Sequence, residues 1–223
     1  MNEIPADLRQ TIEHITTDMW DGYLQAAAGF IQEHDDTKAK IVVDRFHVAQ
    51  NYRKGFDALR KKECKRLKRE LSDDAYERVC KGMHWVLRNN HSALGPEERK
   101  RLRCLFEHSP LLHQAYTFRE ELTAIFNRPY SRSRAEQAIR SWCHKVWLSP
   151  VSCYDKFIKT LKRYRQYILN YFNHRVSSGF VEGLNNKIKT IKRRCYGINK
   201  VSSLFQRIWL DLQGRQLFFL STP

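Results

Sequence analysis

The sequence predicts an α/β chain that is mostly helical, with two short parallel strands near its start, a large all-helical block, and a final group of helices. Three observations carry this expectation. A β-branched run, "AKIVVD" at 39–44, ends in an aspartate; an alternating run, "TIEHITT" at 11–17, also leads into one; and from residue 47 to about 175 the apolar residues recur at helical spacing.

In the first run Ile12 and Ile15 stand among polar neighbours, ahead of Asp18. Between the two runs, "MWDGYLQAAAGFIQEH" has helical spacing through Tyr23, Ala27, Phe30 and Ile31. Two strands joined by a helix should be parallel neighbours in a right-handed crossover. Asp18 and Asp44 then lie at carboxyl ends of strands on one edge of a sheet, where open α/β folds place their chemistry.

The helical block follows. "VAQNYRKGFDALRKKECKRLKREL" sets Val48, Tyr52, Phe56, Leu59, Cys64, Leu67 and Leu71 near one face. After the start signal Ser72-Asp73-Asp74, one helix is expected through Tyr76, Val79, Met83 and Val86. "LGPEERKRLRCLFEHSP" has Pro96 near its first turn and Pro110 just past its end; two further helices are closed by Pro129 and Pro150, and a last one is expected over "YDKFIKTLKRYRQYILNYFNH".

The 223 residues are 42% hydrophobic, so a buried core is expected. Forty Lys and Arg against 24 Asp and Glu give a net charge of +16, which points to a polyanion: nucleic acid first, an anionic membrane surface second. The longest mostly apolar stretch, "YLQAAAGFI" at 23–31, is far short of the ~18 residues a membrane span needs. The opening "MNEIPADLRQ" has no apolar secretory core, and a cytosolic location is expected. The six cysteines form no C-x-x-C pair, which argues for reduced thiols rather than zinc ligands or disulfides. The basic run "KKECKRLKRE" reads as a solvated helix face.

One acid stands out. Between Lys156 and Arg207 the bases are many, and Glu182 is the only carboxylate. On a helix over 181–195, Leu184, Ile188, Ile191 and Cys195 form one stripe, with Glu182, Asn186, Lys189 and Arg193 on the opposite side. Positions three and four after Glu182 are Asn185 and Asn186, so no local ion pair forms; Gly179, three before it, excludes a capping box. Two readings stand: Glu182 complements the helix dipole, or it ligates a hard cation such as Mg²⁺ beside a phosphate-binding surface. The second needs partner carboxylates, for which Asp18 and Asp44 are the candidates.

Taken in order, "ITTDMWDGY", "KIVVDRFHVAQ", "FDALRKKE" and "GFVEGLNNKIKTIKRRCYG" resemble the catalytic domain of an insertion-sequence transposase of the ISL3 family, over residues 11–210. The resemblance implies an RNase H-like DDE fold. Residues 1–46 would be the remaining part of its catalytic core, 47–175 a helical insertion, and 176–223 the core helices carrying the last acid. It implies that Asp18 is the second acid of the triad and Glu182 the third, holding Mg²⁺ or Mn²⁺ in a two-metal site. Asp44 and His47 match a D-R-F-H signature; Asp44 is either a further metal ligand or the anchor of the following helix, and His47 either a packed histidine or a ligand. The expected phosphate contacts are Lys187, Lys189, Lys192, Arg193 and Arg194, with Arg45 at the strand end.

The same family places a cysteine-rich segment, a helix-turn-helix and strands carrying a first aspartate ahead of "ITTDMW". Glu3, Asp7 and Glu13 end no convincing strand here, so that first ligand is expected to be absent and the chain alone inactive. The alternative expectation is a DNA-binding or transposase-inhibiting fragment. The expected partners are DNA and either a second copy or the full-length transposase.

Overall fold

The computed structural model describes residues 4–195 and 200–219, and for Phe180, Val181 and residues 214–219 the backbone alone. Glu3, and the Tyr196 and Gly197 that close the last motif, lie outside the described residues.

Pro5 opens a short helix, α1 (Ala6–Gln10), which sequence patterning did not anticipate. Its closing turn takes the amides of Thr11 and Ile12 back to Leu8 and Arg9. The first strand is therefore shorter than its alternating run: β1 covers His14–Thr17. After α2 (Asp21–Glu33) the chain enters β2 (Lys40–Val43), which pairs parallel with β1, from His14 opposite Lys40 to Thr17 opposite Val43.

Ile41, Val42 and Val43 are all buried, so β2 has no solvent face; a continuous apolar run is what a strand covered on both sides requires. Helix α2 supplies Leu24, Ala27 and Phe30 to the core. Tyr23 is a correction: its ring is more than half exposed and packs on Trp20, 4.7 Å away, instead of turning inward with Ala27.

Helix α3 (Arg45–Glu70) leaves β2 without a loop. Its buried stripe is Val48, Tyr52, Phe56, Leu59, Glu63 and Leu67. Cys64, expected on that stripe, is half-buried, and position 63 is a buried glutamate. That carboxylate is satisfied by the Ser109 hydroxyl at 2.6 Å and by Arg66 at 2.9 Å.

The expected helix from Ser72 is two pieces, α4 (Asp73–Cys80) and α5 (Met83–Val86). Gly82 stands between them at φ 74°, a left-handed conformation open to glycine. A single 3-10 turn at His91–Ala93 leads to α6 (Pro96–His108), α7 (Pro110–Asn127) and α8 (Arg132–Trp147). Trp142 and Tyr154 sit at the centre of this block and spend their polar ends on the carbonyls of Phe118 and Ala115.

The last helix expected in the block is also divided, into α9 (Asp155–Arg163) and α10 (Arg165–His174). The break falls at Tyr164, whose hydroxyl donates to Asp21 at 2.8 Å. Helix α10 packs on β2, and Asn170 donates to the Ile41 carbonyl at 2.8 Å. Strands and helical block thus form one compact unit, Met1–Val176, and the expected division between residues 46 and 47 lies in the first turn of α3.

A second compact unit, Ser177–Pro223, contains α11 (Gly179–Arg194) and α12 (Val201–Phe219). On α11, Leu184 and Ile188 are half-buried and Ile191 is buried, as is half of Cys195 just past its end, so the apolar stripe packs inward. All six cysteines are free thiols.

Candidate functional site

The carboxyl edge of the strand pair is built by register. The amide of Asp44 donates to the Thr17 carbonyl at 3.2 Å, extending the ladder one step past the last paired residues. Asp18 and Asp44 therefore leave adjacent strands side by side.

Their environments differ. Asp18 is exposed, and among the described residues its carboxylate makes no hydrogen bond or ion pair. Asp44 is 2% exposed and is the N-cap of α3, with its carboxylate accepting from the Phe46 amide at 2.8 Å. That bond satisfies one of the otherwise unpaired amides of the helix start. Behind the edge, burial pushes the Tyr164 phenol up, and its hydrogen bond to Asp21 with the charges of Asp21 and Asp18 pushes the same way. Helix α9 closes this side with an Arg163–Asp21 ion pair.

His47 is half-buried, with its ring edge-on to Phe46 at 5.6 Å. Arg45 donates to the Asn127 side chain at the end of α7.

In the second unit Glu182 sits in the first turn of α11, half-buried, with the Ser178 hydroxyl 3.1 Å from its Oε1. Ser178 is the N-cap residue. Sequence spacing missed this contact because it tested three positions before the glutamate and three or four after it; the partner lies four before. Asn186, Lys189, Lys192, Arg193 and Arg194 are exposed. Lys187 is engaged, its ammonium 3.1 Å from Asp211 of α12.

The first unit thus carries Asp18 and Asp44, the second Glu182. Among the described residues no three His, Cys, Asp or Glu side chains form a group able to hold a metal. Of the candidate acids, Asp18 is the one whose carboxylate makes no hydrogen bond or ion pair among the described residues, and a carboxylate oxygen is the kind of ligand that suits Mg²⁺ or Mn²⁺. No described helix is long and apolar enough to cross a membrane.

Comparison with known proteins adds an independent observation. The family model for ISL3-type transposases, described as "Transposase", matches residues 1–208. The chain is 31% identical over 215 residues to the transposase for insertion sequence element IS1001 of Bordetella parapertussis, covering 95% of this chain and 50% of that protein. It is 24% identical over 139 residues to the transposase for insertion sequence element IS1557 of Mycobacterium tuberculosis, covering 62% of this chain and 31% of that protein. The chain therefore spans half or less of the length of these relatives. No solved structure matches it.

Proposed function

Because the chain belongs to the ISL3 family of transposases, we propose that it contributes two carboxylates, Asp18 and Glu182, to an RNase H-like DDE active site that cuts and joins DNA at the ends of an insertion sequence. The observation that carries the proposal is the parallel register of β1 and β2, which puts an exposed, unengaged Asp18 on the carboxyl edge of the sheet.

Asp18 and Glu182 would hold Mg²⁺ or Mn²⁺, which when bound supplies activation of the attacking hydroxyl and stabilisation of the leaving oxygen. The surrounding residues have separate tasks. Asp44 fixes the start of α3 against the sheet edge. Ser178 holds the Glu182 carboxylate by hydrogen bonding. Lys189, Lys192, Arg193 and Arg194 neutralise DNA phosphates without reading sequence.

A transposition assay with these residues varied within a full-length transposase, in cells carrying the insertion sequence, tests the reading. Asp18→Asn and Glu182→Gln should each lower the frequency by at least about 10–100-fold, the range lost when groups that merely orient a metal ligand are removed. Wild-type frequency in either variant would remove that residue from the site.

A further inference from the structure

A groove of about 370 Å³ runs along α3 in the first unit, bounded by α3, α5 and α7. Phe46, Gln50, Arg53, Asp57 and Arg60 form the middle of its α3 wall, with Lys54 and Phe56 on the two sides. At 100° per residue these five fall within an arc of about 80°, a stripe about 21 Å long that starts two residues after Asp44. The groove therefore leads directly away from the strand edge that bears Asp18 and Asp44.

Its charge is one-sided. Arg53, Lys54, Arg60, Arg88 and Arg119 line it, against Asp57 as the only lining carboxylate. Asp57 is already held by Arg60 at 2.8 Å and Lys61 at 3.2 Å. Arg53, Lys54 and Arg88 are exposed and have no ion pair among the described residues.

Beneath them lies a buried cation. Arg119 is 3% exposed, donates to the carbonyls of Leu87 and Asn89, and stacks 4.4 Å over the Tyr116 ring. Its Nε is buried and has no hydrogen-bond partner. Glu120 pairs with it at 2.6 Å, so the positive potential of the groove comes chiefly from the exposed Arg53, Lys54 and Arg88 above it.

Two exposed aromatic rings stand here: Phe46 lines the groove, and Trp85, outside the lining itself, flanks it next to His84 and Arg88. Phe46 is 51% exposed and Trp85 64% exposed. The Trp85 ring lies 4.9 Å from that of His84, a lining residue, and Arg88 sits 5.5 Å over it. Large exposed rings beside unpaired cations do not suit duplex DNA, whose bases are stacked on one another. They suit an unpaired strand, whose bases can stack on side chains while its phosphates meet the cations.

We propose that this groove holds an unpaired DNA strand, with phosphates against Arg53, Lys54 and Arg88 and a base against Trp85. The proposal rests on the reading of the chain as a DNA-processing protein, but not on Asp18, Glu182 or a metal.

The test is binding of the purified chain, in EDTA, to a labelled single-stranded oligonucleotide and to its duplex, followed by anisotropy and intrinsic tryptophan emission. The single strand should bind more tightly than the duplex and should quench emission, and Trp85→Phe should abolish most of the quench. Trp85→Ala should weaken single-strand binding by about tenfold. Replacing Arg53, Lys54 and Arg88 by Gln should lower the slope of log affinity against log salt by about 2, from ~0.7 per phosphate contact.

These side chains are exposed, so the variants should keep the wild-type circular dichroism. Lys189, Lys192 and Arg193, replaced together, serve as the comparison. If only that comparison variant changes single-strand binding, the groove proposal is overturned while the α11 phosphate contacts stand. No single-strand binding, or a duplex preference indifferent to Trp85, also overturns it.

Discussion

The amide of Asp44 donates to the carbonyl of Thr17 at 3.2 Å, and the same residue's carboxylate accepts from the Phe46 amide at 2.8 Å. Asp44 thus ties the end of the sheet to the start of α3, and Asp18 is held next to it by register. Asn caps a helix as well as Asp, whereas Ala costs about 1 kcal/mol. Asp44→Ala should therefore lower the unfolding free energy by about that amount or more, and Asp44→Asn by only a few tenths, measured by urea titration. Equal losses in both variants would show that the charge, not the cap, is what the fold uses.

Glu63 gives the clearest pH dependence. Burial raises its carboxyl pKa, but hydrogen bonds from Arg66 and Ser109 and the charge of Arg66 outweigh burial and hold it below its ordinary value of 4.5. The folded chain then takes up this proton less readily than the unfolded chain. Its contribution is complete above pH 4.5 and is lost as pH falls through the lowered folded value. Glu63→Gln should cost about 1–3 kcal/mol at pH 7 and flatten the stability curve below pH 4.5. A variant with the wild-type slope in acid would exclude Glu63 as its source.

Gly55 lies where α3 meets the turn before α9. A Cβ built there would overlap the Cys153 carbonyl oxygen, a backbone atom that cannot swing aside. Gly55→Ala should destabilise the first unit by about 1–3 kcal/mol through overpacking, despite the higher helix propensity of Ala. A gain in melting temperature would mean that the helix and turn separate at little cost.

The cations of α11 should not be equivalent. Lys189, Lys192 and Arg193 are exposed, whereas Lys187 is paired with Asp211 at 3.1 Å. Replacing the first three by Gln should reduce the salt slope of duplex binding by about 2.7, from ~0.9 per phosphate, and Lys187→Gln should reduce it by less than one such step. A full step lost with Lys187 would mean that DNA displaces Asp211.

What sequence patterning revealed here was local. The run Ile41-Val42-Val43 marks a buried strand, the prolines and Ser72 mark helix ends, and both strand-end aspartates follow from those strands. What it missed depends on distant partners. Tyr164 breaks a helix where its hydroxyl meets Asp21, 143 positions earlier, and no local residue announces that contact. Gly82 did offer a signal, but helical spacing on both sides of it masked the turn. Glu63 reads as a surface charge until Ser109 of another helix is placed beside it. The α3 groove is similar: Arg53 and Lys54 look like solvated helix residues, and the proposed site takes shape only when α5 and the turn after it bring His84 and Arg88 into the wall, with Trp85 beside them.

The measurement that tests the central claim most directly is Mn²⁺ binding by the chain in the presence of DNA, read by electron paramagnetic resonance. The proposed site predicts that Asp18→Asn and Glu182→Gln each weaken Mn²⁺ binding by tenfold or more, as expected when a ligand's carboxylate is lost. It also predicts that Trp85→Phe leaves binding unchanged. Equal Mn²⁺ affinity in the wild type and both carboxylate variants would contradict the assignment of Asp18 and Glu182 to a shared metal site.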